Sequence, residues 1–148
     1  MPKKILCAVD GSYSANRAAA CAADLAKDMG AKLTFIHVNR VPPERAAKMV
    51  YFWDETQLSA VDAQIHAQLA HACKAAAEHA VTNFDSVVVT SNKVSTAITS
   101  YAKEKEYDHI VMGTDVTNPL EHIVLGSVAT EVISKAHSPV TIVHSHSH

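Results

Sequence analysis

No stretch of this 148-residue chain approaches the ~20 consecutive apolar residues that a membrane-crossing helix needs. The opening Met1-Pro2-Lys3-Lys4 leads into five apolar residues before Asp10, too short a core for a secretory signal. These shortfalls give a cytoplasmic protein with no membrane partner as the expectation. A surplus of charge is lacking too. Thirteen Lys and Arg oppose fifteen Asp and Glu, for a net charge of −2. Without a basic footprint, no nucleic-acid partner is expected.

Cysteine is sparse: Cys7, Cys21 and Cys73. Their number is odd, and their spacing fits no zinc or redox motif. Each lies in an apolar pattern and reads as a small buried hydrophobe. Catalytic signatures are missing as well. There is no Walker lysine motif, and neither Ser12 nor Ser127 stands in Gly-x-Ser-x-Gly. No paired carboxylates sit at two strand ends. No catalytic residue is assigned, and no enzyme is expected.

What is present is alternation. Ile5–Val9 is a short, continuously apolar run, as suits a strand buried on both faces of a parallel sheet. Asp10-Gly11-Ser12 follows as turn chemistry. Ala15, Ala18, Ala22, Leu25, Ala26 and Met29 then recur at helical spacing. Ser12 or Ser14 can cap that helix, and Gly30 can end it. Leu33–Val38 reads as the second strand, completing a right-handed β-α-β unit.

Residues 39–53 are irregular, with Pro42-Pro43 and the aromatic cluster Tyr51-Phe52-Trp53. That cluster reads either as loop packing or as a partner-contacting patch that lids a cleft. A long helix is predicted from about Glu55 to about Ala80, with His66, His71 and His79 toward its exposed side. Val87–Thr90, His109–Gly113 and Val140–Val143 read as strands three to five. Thr96–Lys105 and Ser127–Ala136 read as helices, the latter with Val128, Val132 and Ile133 inward. His37 and His109 read as satisfied core or rim histidines. The tail, residues 144–148, carries His144, His146 and His148 and reads as frayed rather than metal-binding. The whole is one domain, 1–148, of α/β class: an open five-stranded parallel sheet with helices on both faces.

Three segments tighten this reading. They are Ile5–Ser12, Tyr107–Thr114, and Leu125-Gly126-Ser127-Val128 followed by Ser138-Pro139-Val140. In this order and spacing the chain resembles the universal stress protein family, from Lys3 to Val143. The resemblance implies strand order 3-2-1-4-5, in an adenine nucleotide alpha hydrolase-like fold. It implies a stress-response protein that is a homodimer, paired through the last strand, Val140–Val143, and acting on protein partners not identified by the sequence. It implies ATP or AMP as the ligand class, with no metal required and at most slow ATP hydrolysis.

The family's ATP pattern is Gly-x2-Gly-x9-Gly-Ser/Thr. Gly113 matches the first position and Gly126-Ser127 the last two, but position 116 holds Val116. Glycines let backbone amides converge on phosphate, whereas β-branched valine resists positive φ and crowds the anion. Asp115 adds negative charge to the same loop, and Pro119 removes a donor. Asn92-Lys93-Val94 replaces the Gly-x-Pro common before the third helix, and Lys93 reads as an exposed lysine. Asp10, at the switch point of the sheet, matches a residue that holds the nucleoside. Val38 and Met112 match the adenine pocket, and Val128 follows the Gly-Ser pair. The expected cofactor-binding set is therefore Asp10, Val38, Met112, Gly113, Gly126, Ser127 and Val128, around an eroded nucleotide cleft. A phosphoacceptor receiver domain is excluded, because the third strand ends in Val89-Thr90-Ser91 and lacks the required Asp.

Overall fold

The computed structural model describes residues 3–41, 50–51, 63–114 and 125–144. Ten elements alternate along them: β1 (Lys4–Ala8), α1 (Tyr13–Met29), β2 (Lys32–Arg40), β3 (Val50–Tyr51), α2 (Ala63–Glu78), β4 (Phe84–Ser91), α3 (Val94–Glu104), β5 (His109–Thr114), α4 (Ser127–Lys135) and β6 (Val140–His144). The sheet order is β3-β4-β2-β1-β5-β6. β1, β2, β4, β5 and β6 all run parallel. Counted among themselves they stand in the expected 3-2-1-4-5 order.

The parallel strands are apolar because both faces are covered. Ile5, Cys7, Leu33 and Phe35 are buried under α1 and α2. Leu6, Ile36, Val87, Ile110 and Met112 are buried under α3 and α4. α1 buries alanine at 15, 18, 19, 22, 23 and 26. With so little side chain between them, its backbone settles close to the sheet. Of the two serines that could cap α1, Ser12 does so: its Oγ accepts the Ala15 amide at 3.1 Å. Gly30 ends the helix in the left-handed region at φ 63°.

Four local expectations are corrected. β3 lies within the stretch read as irregular and pairs antiparallel with Val88 and Val89 of β4. It engages the outer backbone edge that β4 would otherwise leave open. β4 begins at Phe84, three residues before the expected Val87. Ile133 faces outward at 46% exposure, while its neighbour Val132 is fully buried. His144, expected to open the tail, instead closes β6 in register with Thr114, and its carbonyl accepts from Arg17 Nη1 at 2.9 Å. Of the cluster Tyr51-Phe52-Trp53, Phe52 and Trp53 lie outside the described residues, as do His146 and His148 and the first part of the long helix. No helix among the described residues is long and apolar enough to cross a membrane.

The amino-terminal end of the sheet holds a polar chain that explains the early start of β4. Tyr107 donates its hydroxyl to Thr34 Oγ1 at 2.7 Å, and Thr34 donates to Asp85 Oδ1 at 2.6 Å. Lys32 Nζ pairs with Asp85 Oδ2 at 3.1 Å. Thr34 is 1% exposed and Tyr107 8%, so burial pushes the Tyr107 phenol up. Thr34→Val should cost about 1–3 kcal/mol, because it removes both the acceptor of the Tyr107 hydroxyl and a donor to Asp85, while Tyr107→Phe should cost about 1 kcal/mol. Urea unfolding midpoints of the two variants check this order.

Candidate functional site

β1 and β5 are neighbours, yet the chain leaves them in opposite directions, β1 through α1 to β2 and β5 through α4 to β6. That divergence opens a crevice at the carboxyl ends of the strands, the usual place for a ligand in open α/β sheets. The crevice has a volume of about 340 Å³. All seven residues singled out in the sequence line it: Asp10, Val38, Met112, Gly113, Gly126, Ser127 and Val128.

Its floor is apolar. Ala8, Ile36, Val38 and Met112 present the α3/α4 face of three strands. Val94 and Ile98 of α3 form one wall. The sequence reading named neither as lining. Periodicity reveals a buried face but not that a crevice interrupts it.

The rim is polar and ordered by short bonds. Asp10 is exposed, and its Oδ1 accepts the Ser12 amide at 2.9 Å. One carboxylate oxygen thus shapes the turn, and Asp10 lines the crevice. Ser14 is buried, 3.2 Å from Ser12 Oγ. Among the described lining residues, Asp10 is the one charged side chain. Lys93, at the start of α3, is held to Glu131 of α4 at 3.1 Å. Among the described residues, no cluster of His, Cys, Asp and Glu could hold a metal ion.

The glycines of the motif act differently from one another. Neither Gly113 nor Gly126 has positive φ; the glycines that do are Gly11 and Gly30. A Cβ at Gly113 would lie 2.4 Å from the Ser14 carbonyl carbon and 2.7 Å from the Ala15 nitrogen. Gly113 is therefore required by the close crossing of α1 over β5. Gly126 has φ −64°, and a Cβ there would meet Thr114 Oγ1 at 3.3 Å. Its amide donates to that same Oγ1 at 3.0 Å, tying the end of β5 to the start of α4. The first intrahelical bond of α4 runs from the Thr130 amide to the Gly126 carbonyl. The amides of Ser127, Val128 and Ala129 precede it, with no side-chain cap, at the positive end of the helix dipole. Asp115, Val116 and Pro119 lie outside the described residues.

His37 and His109, read from the sequence as core or rim histidines, are each paired. His109 Nε2 lies 2.7 Å from Thr141 Oγ1, and burial pushes its pKa down. His37 Nδ1 lies 2.9 Å from the Val9 carbonyl oxygen. Cys7 is fully buried, and desolvation pushes its thiol far up, away from thiolate chemistry.

Residues 1–144 match the profile of the universal stress protein family. A universal stress protein of Methanocaldococcus jannaschii is 35% identical over 144 residues, covering 95% of this chain and 81% of that one. The universal stress protein YxiE of Bacillus subtilis is 32% identical over 150 residues, covering 97% and 99%. Among solved structures, a universal stress protein in complex with cAMP superposes with TM-score 0.71 at 24% identity, covering 98% of each chain. A universal stress protein of Archaeoglobus fulgidus in complex with dAMP gives TM-score 0.67 at 22% identity, covering 97% and 98%.

The two glycines should separate under substitution. Gly113→Ala should cost about 2–3 kcal/mol, since the new carbon meets the α1 backbone at Ser14 and Ala15. Gly126→Ala should cost about 1 kcal/mol or less, the loss of a mild N-cap preference. Chemical denaturation of both variants gives the comparison.

Proposed function

The chain belongs to the universal stress protein family, and from that premise we propose that it is a non-enzymatic, ligand-responsive cytoplasmic homodimer whose crevice takes an adenine nucleoside or mononucleotide and has lost its grip on a triphosphate. The observation that carries the reading is the lining itself. The seven nominated residues converge on one crevice that is apolar below and polar at the rim. Its volume, about 340 Å³, falls at the small end of the usual range for ligand sites.

The charge balance argues against ATP. Three linked phosphates need several donors and cations, and the described lining offers a carboxylate and no cation. The intervening sequence, residues 115–124, contains Asp115 and Glu121 and no Lys or Arg. One phosphate is a smaller demand, and the uncapped start of α4 suits it. The same-fold proteins in complex with cAMP and dAMP carry ligands of this size. That helix start also favours the alternative, an ATP- or AMP-binding switch with slow hydrolysis, because it accepts the first phosphate of either.

Calorimetry on protein stripped of co-purified ligand tests the reading. AMP should bind more tightly than ATP, and Val116→Gly should recover part of the ATP affinity. ATP binding in the micromolar range by the unmodified protein would establish the switch instead.

The dimer is proposed through β6. The Ile110 amide donates to the Pro139 carbonyl. Alternation along the ladder then directs Thr141 and Val143 toward β5, and leaves the Val140 and Ile142 amides at the outer edge. Ile142→Pro should therefore spare the β5–β6 ladder and remove a donor from the edge. Light scattering after size exclusion should give a folded monomer; a folded dimer would move the interface elsewhere.

A further inference from the structure

Val9 lies just beyond β1, where the chain turns away from the sheet. Its amide donates to the Ile36 carbonyl at 2.9 Å, one step past the last paired residues, Ala8 and Ile36. Continued pairing would satisfy the Val9 carbonyl from the Val38 amide. The imidazole of His37 takes that carbonyl instead, at 2.9 Å. A carbonyl oxygen has no proton to give, so Nδ1 is the protonated nitrogen.

His37 approaches from behind the site. It shares its strand face with Leu33 and Phe35, which lie under α1 and α2, whereas Ile36 and Val38 face the crevice. It is half-buried, and desolvation pushes its pKa down, opposed by the Val9 bond and the Asp10 charge. The Nδ1 proton is committed to the Val9 carbonyl.

The peptide that His37 holds leads directly into Asp10. Gly11 follows at φ 83°, so close to α2 that a Cβ would fall 2.6 Å from Gln68 Nε2. Ser12 then returns its amide to Asp10 Oδ1. We propose that His37 is a positioning residue for the crevice: its bond to the Val9 carbonyl fixes the peptide that aims Asp10 at the ligand. The proposal rests on Asp10 being a ligand contact.

The test compares the native protein with His37→Asn, whose side-chain amide can place a donor where Nδ1 stands, and His37→Leu, which keeps bulk without a donor. Three quantities are read at pH 7.5: the His37 tautomer by nitrogen NMR, hydrogen exchange of the Ser12 amide, and adenosine affinity by calorimetry. The native ring should carry its proton on Nδ1. His37→Leu should speed Ser12 exchange and weaken adenosine by about tenfold, the net effect of one hydrogen bond, while His37→Asn stays within about twofold of native. If the native protein binds no adenosine, the proposed function fails, and Ser12 exchange alone decides the role of His37. If His37→Leu does not fold, the tautomer and His37→Asn decide. An unprotonated Nδ1, native Ser12 exchange in His37→Leu, or equal losses in the Asn and Leu variants would overturn the proposal.

Discussion

α1 passes so near β5 that one added carbon at Gly113 would fall inside the backbone of Ser14. The position of the crevice follows from that crossing. The helix can come this close because its buried face is almost wholly alanine. The same crossing brings Ser12 and Ser14, at the start of α1, to the rim. A bulkier stripe would lift the helix, widen the gap between β1 and β5, and move the rim away from the floor. Packing here sets the geometry of a binding surface more strictly than it sets stability.

The two ends of the sheet divide the work. At the amino-terminal end, Tyr107, Thr34, Asp85 and Lys32 form a satisfied polar chain that joins β2, β4 and the approach to β5. Lys4 adds a contact over the Tyr107 ring, 4.3 Å from its centre. Thr34 and Tyr107, buried and partnered, specify one arrangement of strands. At the carboxyl end the strands stop at different heights and their helices diverge, leaving apolar side chains open to a ligand. Rigidity below permits an open surface above.

Much of this was legible in the sequence because parallel strands covered on both faces leave plain apolar runs. α1 was legible from alanine spacing and from its two caps, Ser12 and Gly30. β3 was not, since two residues carry no period. The early start of β4 was hidden because Asp85 and Ser86 resemble turn residues. Asp85 belongs in a strand because Thr34 and Lys32 satisfy it from across the sheet, and a single sequence does not display that partnership. Ile133 defeated the helical pattern because α4 is short and buries a narrow stripe. The site was legible at its motif positions but not on its α3 wall, where Val94 and Ile98 look like any helix core. Gly113 was found by its place in a phosphate motif, yet the neighbour that demands glycine is a helix more than ninety positions away in the chain.

The bond between the Gly126 amide and Thr114 Oγ1 joins two points twelve residues apart. It clamps the end of β5 to the start of α4 independently of the residues between them. The closure cost of a connection grows only slowly with its length, about 0.6 kcal/mol per doubling. In evolutionary terms the spacing of the two walls is therefore insulated from insertions in the connecting sequence, and the scaffold can persist while that sequence drifts.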